Sequence, residues 1–305
     1  MKIKNGRHTI DISHGDKILF GKTPITKNDL IQYYQTIAPI MMPYVDDRPI
    51  SMQRFPEGIN KEGFFQKNAN DYFPEWVTRI AIPKQTDDLV HYVVIDKPAT
   101  LIYLANQNCI TPHVWLSRTD NLEKPNRMIF DLDPADNLTF KDVQHVATKL
   151  KKILDDCGLP TFCMLTGSRG VHIVVPLKRV HTYDETRAFA HTIATLLAKQ
   201  FPKLITVDML KEKRGKRVFI DWLRNGFGST AVAPYAVRAH EGAPVAMPVT
   251  WQELLSPGMN SQKYTIKNSN QRITNVGDVW KGIQQHAVTL KTARKKLDII
   301  SSRSP

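Results

Sequence analysis

Two aspartates, Asp131 and Asp133, close the apolar run Met128-Ile129-Phe130-Asp131-Leu132-Asp133-Pro134. A third, Asp221, sits inside a second apolar run, Val218-Phe219-Ile220-Asp221-Trp222-Leu223. A carboxylate buried in an apolar strand is costly unless something compensates it. Side chains two apart on a strand share a face, so Asp131 and Asp133 point the same way. The bland alternative, a carboxylate capping a turn, accounts for Asp133 before Pro134. It does not account for Asp131 and Asp221, which large apolar residues flank. Convergent carboxylates are hard oxygen ligands, and their common use is to hold divalent cations. The expected chemistry is a two-metal in-line displacement, with one ion activating a hydroxyl and the other stabilising the leaving pyrophosphate.

A second segment, Thr166-Gly167-Ser168-Arg169-Gly170, joins two strands and is followed by His172. Its glycines permit tight backbone geometry, and successive N–H groups in such a turn can form an anion nest. Arg169 and the hydroxyls of Thr166 and Ser168 add phosphate donors. Beside three carboxylates, the turn reads as a cradle for a triphosphate.

These residues need a scaffold, and the middle of the chain supplies one. Met128–Asp133 reads as a strand. Thr139 with Asp142 opens a helix through Val143, Val146, Leu150, Ile153 and Cys157, which Gly158 ends. Thr161–Leu165 and Val171–Val175 are strands. Thr182 with Glu185 opens a second helix, and Arg217–Leu223 is the fourth strand. The order βαββαβ is the ferredoxin-like, RRM-like unit. In that topology the first and third strands are central neighbours and the fourth lies beside the first. Asp221 is therefore expected next to Asp131 and Asp133, with His172 on the other side.

About residues 1–125 read as a separate α/β module. Thr26 with Asp29 caps a helix through Leu30, Tyr33, Tyr34, Ile37 and Met41, Tyr92–Ile95 is a strand, and Leu101–Asn106 a short helix. About 126–250 is the catalytic module, about 251–295 a basic helical segment, and 296–305 a frayed tail. Arg54-Phe55-Pro56-Glu57-Gly58 and Phe64-Phe65-Gln66-Lys67 interleave aromatic and basic groups. That pattern suits base stacking beside phosphate contacts, with one of Phe64 and Phe65 in the core and the other exposed. Lys17 and Lys27 flank the first helix and read alone as surface lysines. His113 and Arg238 sit in apolar settings, where an arginine wants an anion.

The balance of 42 basic against 29 acidic residues, a net charge of +13, points to a polyanion such as nucleic acid. The charge is uneven: Lys211–Arg217 holds Lys211, Lys213, Arg214, Lys216 and Arg217 against Glu212 alone. Three cysteines without a CxxC pair argue for a reducing compartment and against a zinc knuckle. No segment reaches membrane-spanning length, and a cytoplasmic, nucleoid-associated protein is expected.

Together the segments Phe130–Pro134, Thr166–His172 and Phe219–Trp222 resemble the three catalytic motifs of the archaeo-eukaryotic primase superfamily, and most of all the polymerase domain of bacterial ligase D. Arg54–Gly58, Phe64–Lys67 and Ala233–Arg238 match further segments, and the resemblance runs from about residue 13 to about 280. It implies an α+β fold, an N-terminal α/β module packed on the RRM-like one. It also implies template-dependent nucleotidyl transfer with two Mn2+ or Mg2+ ions, preference for ribonucleotides, short-gap filling and end extension in non-homologous end joining. On this resemblance Asp131, Asp133 and Asp221 would bind the metals, and Thr166, Ser168, Arg169, His172, His113, Arg238, Phe64, Phe65 and Arg54 the nucleotide. Lys17 and Lys27 would grip the 5′-phosphate across a gap, while Lys67, Arg214 and Arg224 would lie on DNA. The chain departs from the family pattern at Arg169, where lysine is frequent, at Arg224, where glutamine is, and at Gln53, where lysine is. With no ligase or nuclease domain expected, the partners implied are gapped or broken DNA, nucleoside triphosphates, Ku and a separate ligase. Competing readings are a primase-polymerase of replication or other repair, a metal-dependent nuclease, and a non-catalytic RRM-type binder. The triphosphate cradle argues against a nuclease, and aspartates where stacking aromatics would stand argue against the binder.

Overall fold

Strand and helix signals in the middle of the chain become a sheet in the expected order. A computed structural model describes residues 1–83 and 88–302. The backbone divides into two units, Met1–Asp120 with Thr230–Met247 and Tyr264–Gly277, and Asn121–Ser229 with Pro248–Lys263 and Asp278–Pro305. This differs from the expected partition, because the segments after residue 229 are shared between the units rather than following them in sequence.

In the second unit the strand Arg127–Pro134 is central. It pairs antiparallel with Val171–Pro176 on one side and with Val218–Asp221 on the other. Phe162–Leu165 lies outside Val171–Pro176, and Ile205–Thr206 runs parallel to Val218–Asp221 at the other edge. Helices Phe140–Asp156 and Tyr183–Gln200 supply the crossovers. Both open with the expected capping boxes: Thr139 N–H donates to Asp142 Oδ2 at 2.8 Å and Thr182 N–H to Glu185 Oε2 at 2.8 Å. Their apolar stripes (Val143, Val146, Leu150 and Leu154; Phe189, Ala190, Ile193 and Leu197) are buried. The last helix, Leu290–Ser302, continues past the point where a tail was expected, because Ala293 and Leu297 are buried. Its first turn is held by His181, whose Nε2 accepts the Leu290 N–H at 2.9 Å.

The first unit is built on the sheet order Thr230–Val232, Cys109–Trp115, Arg48–Arg54, Leu89–Ile95 and Arg79–Pro83, with Phe64–Gln66 added to Arg48–Arg54. Helices Lys27–Val45 and Pro98–Asn106 pack on each other. The capping box of the first is formed, with Thr26 N–H donating to Asp29 Oδ2 at 2.7 Å. The two tyrosines on that helix do more than fill the core. Tyr33 Oη donates to the Tyr235 carbonyl at 2.8 Å, and Tyr34 Oη donates to the Ile110 carbonyl at 2.6 Å while accepting the Val237 N–H at 3.1 Å. They hold the segment that carries Arg238. Cys109, Cys157 and Cys163 are buried and free, as small core residues. No helix among the described residues is long and apolar enough to cross a membrane.

Candidate active site

Register decides which side chains meet. Asp131 stands directly opposite Asp221 on one neighbouring strand and opposite His172 on the other. Directly opposed residues on antiparallel strands have Cβ atoms about 5 Å apart. At that separation two carboxylates repel by roughly 3 kcal/mol at an effective dielectric of about 20, so the pair calls for a cation. Burial, and then the charge of Asp131, raise the Asp221 carboxyl above its ordinary range, while Arg224 pulls it back. Arg224 Nε lies 3.4 Å from Asp131 Oδ2 and 3.2 Å from Asp221 Oδ2. Burial works against the Arg224 charge, but Asp131 and Asp221 outweigh it and hold the guanidinium protonated more firmly than usual. His172 Nε2 lies 3.5 Å from the same Asp131 oxygen, and its ring is 97% buried on its side-chain surface.

Asp133, two residues along, meets other partners. Its Oδ1 accepts from Arg169 Nη2 at 3.3 Å and its Oδ2 from Arg214 Nη1 at 3.2 Å. Arg169 also pairs with Asp136, and Arg214 lies over the Phe219 ring at 3.9 Å. Arg214 and Arg224, expected on DNA, therefore reach back to the carboxylates, and Arg169, expected on a triphosphate, is paired with Asp133 and Asp136. A guanidinium on a long stem finds the nearest uncompensated carboxylate. Asp131 and Asp221 share one guanidinium while Asp133 does not. Among the described residues no group of three or more His, Cys, Asp or Glu side chains encloses a common metal position. The three carboxylates thus share a sheet face as expected but, in this arrangement, do not converge on a single point.

The glycine turn sits against the aspartate strand. A Cβ at Gly170 would lie 2.0 Å from the Leu132 carbonyl oxygen, so only glycine permits this approach between Asp131 and Asp133. Gly167 adopts the left-handed region at φ 66°. Thr166, expected as a phosphate donor, is instead buried: its Oγ1 donates to the Gly170 carbonyl at 3.0 Å and accepts from Ser168 N–H at 3.3 Å. Its role is to close the turn. Two residues that the motifs did not single out help: Ser261 Oγ donates to the Gly170 carbonyl at 2.7 Å and Gln262 Nε2 to the Ser168 carbonyl at 3.0 Å. Beside the turn, a cavity of about 260 Å3 is lined by Asp136, Thr139, Ser168, Arg169, Asn260 and Gln262. Asn225 was also missed. Its buried side chain donates to the Ile129 carbonyl at 2.7 Å and accepts the Ile129 N–H at 2.8 Å, continuing the ladder beyond Asp221. It fixes the turn Leu223–Asn225 that carries Arg224.

The remaining candidates belong to the first unit. Lys27 is not a surface lysine: it is 98% buried and donates to the Asn106 carbonyl at 3.0 Å and Ser13 Oγ at 3.3 Å. Burial, and then the Lys17 charge, lower its pKa. Lys17 pairs with Glu57 at 2.9 Å. Arg54 is buried and donates to the Gln107 carbonyl at 2.9 Å and to Gln66 Oε1 at 2.7 Å, with Phe64 beside its guanidinium. Phe64 and Phe65 are both exposed, at 46% and 57%, which corrects the expectation that one would be core. The short strand Phe64–Gln66 packs neither face onto the interior. His113 meets Phe65 edge-on at 5.2 Å, Lys67 is exposed, and Arg238 is half-buried with its N–H donating to the Pro244 carbonyl at 2.7 Å.

Residues 26–280 match the family described as LigD, primase-polymerase domain. The chain belongs to the LigD primase-polymerase family. Its relatives include the multifunctional non-homologous end joining protein LigD of Mycolicibacterium smegmatis, 30% identical over 84% of this chain and 34% of the relative. The bifunctional non-homologous end joining protein LigD of Bacillus subtilis is 33% identical over 86% of this chain and 42% of the relative. The chain therefore spans about a third to two fifths of the length of these proteins. A solved structure, the polymerase domain from Mycobacterium tuberculosis ligase D in complex with DNA, superposes with a TM-score of 0.85 at 29% identity, covering 91% of this chain and 99% of that one.

In this LigD primase-polymerase chain the donor set fits a hard divalent ion. Asp131 and Asp221 offer carboxylate oxygens on one face, and a cation already sits between them in the form of Arg224.

Proposed function

We propose that the chain is a template-dependent nucleotidyltransferase that fills short gaps and extends broken DNA ends in non-homologous end joining, with a preference for ribonucleotides. The observation that carries the reading is the register that sets Asp131 opposite both Asp221 and His172, next to the glycine turn. The names of the relatives and the DNA-bound structural neighbour support the same reading.

On this reading Asp131 and Asp221 hold divalent ions, with Asp133 recruited when Arg169 and Arg214 turn to phosphate. Bound Mn2+ or Mg2+ supplies Lewis-acid stabilisation of the attacking and leaving oxygens. Asp221 orients the primer 3′-hydroxyl. Ser168, Arg169 and the N–H groups of the turn bind the triphosphate, and Thr166 keeps that turn closed. His172 supports Asp131 from the adjoining strand and faces the triphosphate. Phe64 and Phe65 stack on bases, near Arg54 and His113 in the same unit, and Arg238 and Lys67 add positive charge for phosphates. Lys17 and Lys27 take the 5′-phosphate on the far side of a gap. In the cell the partners would be Ku and a DNA ligase.

The test is primer extension on a short-gapped duplex in Mn2+, with and without the 5′-phosphate, comparing ribonucleotides with deoxynucleotides. Expected is incorporation that is stronger with ribonucleotides, weaker without the phosphate, and abolished in Asp131→Ala/Asp133→Ala with DNA affinity retained. Shortening of the DNA without incorporation would replace the reading with a nuclease. Full extension by the folded double variant would remove the aspartates from the chemistry.

A further inference from the structure

The pair of aspartates carries a cation of its own. Arg224 follows Asp221 by three positions on the turn Leu223–Asn225, and Asn225 pins that turn to the backbone of the Asp131 strand. One atom, Arg224 Nε, bridges Oδ2 of Asp131 at 3.4 Å and Oδ2 of Asp221 at 3.2 Å. The Asp221 oxygen that Arg224 does not meet is engaged elsewhere, accepting the Leu223 N–H at 2.9 Å. A divalent ion seated between the two carboxylates would compete for the Oδ2 atoms that the guanidinium holds, and the two cations would repel at close range.

We infer that Arg224 is the resident counter-ion of the Asp131–Asp221 pair and that a divalent ion loads by displacing it, so that Arg224 sets the metal affinity of this chain. The inference rests on the metal-site reading above. The side chain of Arg224 is 42% exposed, which gives it an exit to solvent that leaves the core packed. A neutral glutamine at this position could not act in this way, because it brings no positive charge to oppose the ion. Arg169 and Arg214 engage Asp133 rather than this pair, so they do not substitute for Arg224.

The experiment is titration of the full chain with Mn2+, following the electron paramagnetic resonance signal of the free ion, for the parent, Arg224→Gln and Arg224→Lys. Removing the competing charge should tighten Mn2+ binding in Arg224→Gln by about five- to thirtyfold, the factor that one to two kcal/mol provides. Without metal Arg224→Gln should melt below the parent, and saturating Mn2+ should narrow the gap, since an ion that binds only the folded chain stabilises it. Arg224→Lys keeps the charge without the planar fork and should lie between the two. Parent-like or weaker binding in Arg224→Gln, with the parent still binding Mn2+, would overturn the inference and leave the metal site standing. Absence of Mn2+ binding in every chain would overturn both. If Arg224→Gln does not fold, Arg224→Met, which removes the same charge and keeps an unbranched stem, decides, and parent-like affinity there refutes the displacement.

Discussion

Gly170→Ala is the substitution from which the site should suffer most for the smallest chemical change. No positive φ is involved, so alanine is acceptable to the backbone itself, and the obstacle is contact. The added Cβ would lie 2.0 Å from the Leu132 carbonyl oxygen, about 1.4 Å inside ordinary contact, and 3.1 Å from the Leu132 carbonyl carbon. These are backbone atoms of the central strand and cannot rotate away. Either the turn or the aspartate strand has to move by an ångström or so. Forced overpacking of this kind costs about 1–3 kcal/mol, which for a unit of this size lowers the melting temperature by about 2–4 °C per kcal/mol. The larger effect is on geometry, since misplacing reacting groups by about 1 Å costs on the order of a hundredfold in rate. Thermal melting and single-nucleotide incorporation, measured together, test both halves. Gly258→Ala serves as the comparison: its φ is +75° and nothing lies within 4 Å of an added Cβ, so it carries backbone strain without the collision. It should lose roughly 1–2 kcal/mol of stability and little incorporation. A Gly170→Ala chain that melts and incorporates like the parent would refute the close approach of turn and strand.

Phe64→Ala and Phe65→Ala should each weaken binding to single-stranded or gapped DNA, by about 1–3 kcal/mol per stacked base, without lowering the melting temperature, because both rings are exposed. Unchanged affinity in both, by fluorescence anisotropy, would take base stacking away from this strand. His181 gives a pH dependence with a defined sign. Burial lowers its pKa below 6.5 despite the opposing Glu185 charge, so the folded chain binds this proton less readily than the unfolded one. Its contribution is present above about pH 6.5 and is lost as pH falls through the lowered folded value. The parent should therefore lose melting temperature between pH 7.5 and 5.5, and His181→Gln should lose less; parallel curves would dismiss the role of His181 at the start of the last helix.

The second unit was legible because its signals are local and redundant. Three capping boxes (Thr26, Thr139 and Thr182) marked helix starts, and the βαββαβ order implied the strand order that set Asp221 and His172 on either side of Asp131. Long side chains were harder to read. Nothing in the spacing of Arg169, Arg214 and Arg224 tells that each folds back onto an aspartate, because the choice depends on which carboxylate lies within reach in three dimensions. Asn225 and Ser261 escaped notice for a related reason, since they act by hydrogen-bonding distant backbone, and their sequence neighbourhoods carry no mark of it. Phe64 and Phe65 misled because adjacent side chains on an extended segment point to opposite faces and one of those faces reads as core, whereas an added edge strand can leave both faces to solvent.

The chain leaves and re-enters each unit more than once: the second unit takes in Asn121–Ser229, Pro248–Lys263 and Asp278–Pro305. No single cut of the polypeptide can release it whole. A fragment ending at Ser229 would retain Asp131, Asp133, Asp221 and the entire βαββαβ core, yet lose Ser261 and Gln262 from the carbonyls of the glycine turn and lose the last helix from His181. Truncation, domain exchange and random insertion are therefore poor tools for this protein. Its units have to be inherited and altered together, with changes made residue by residue within the intact chain.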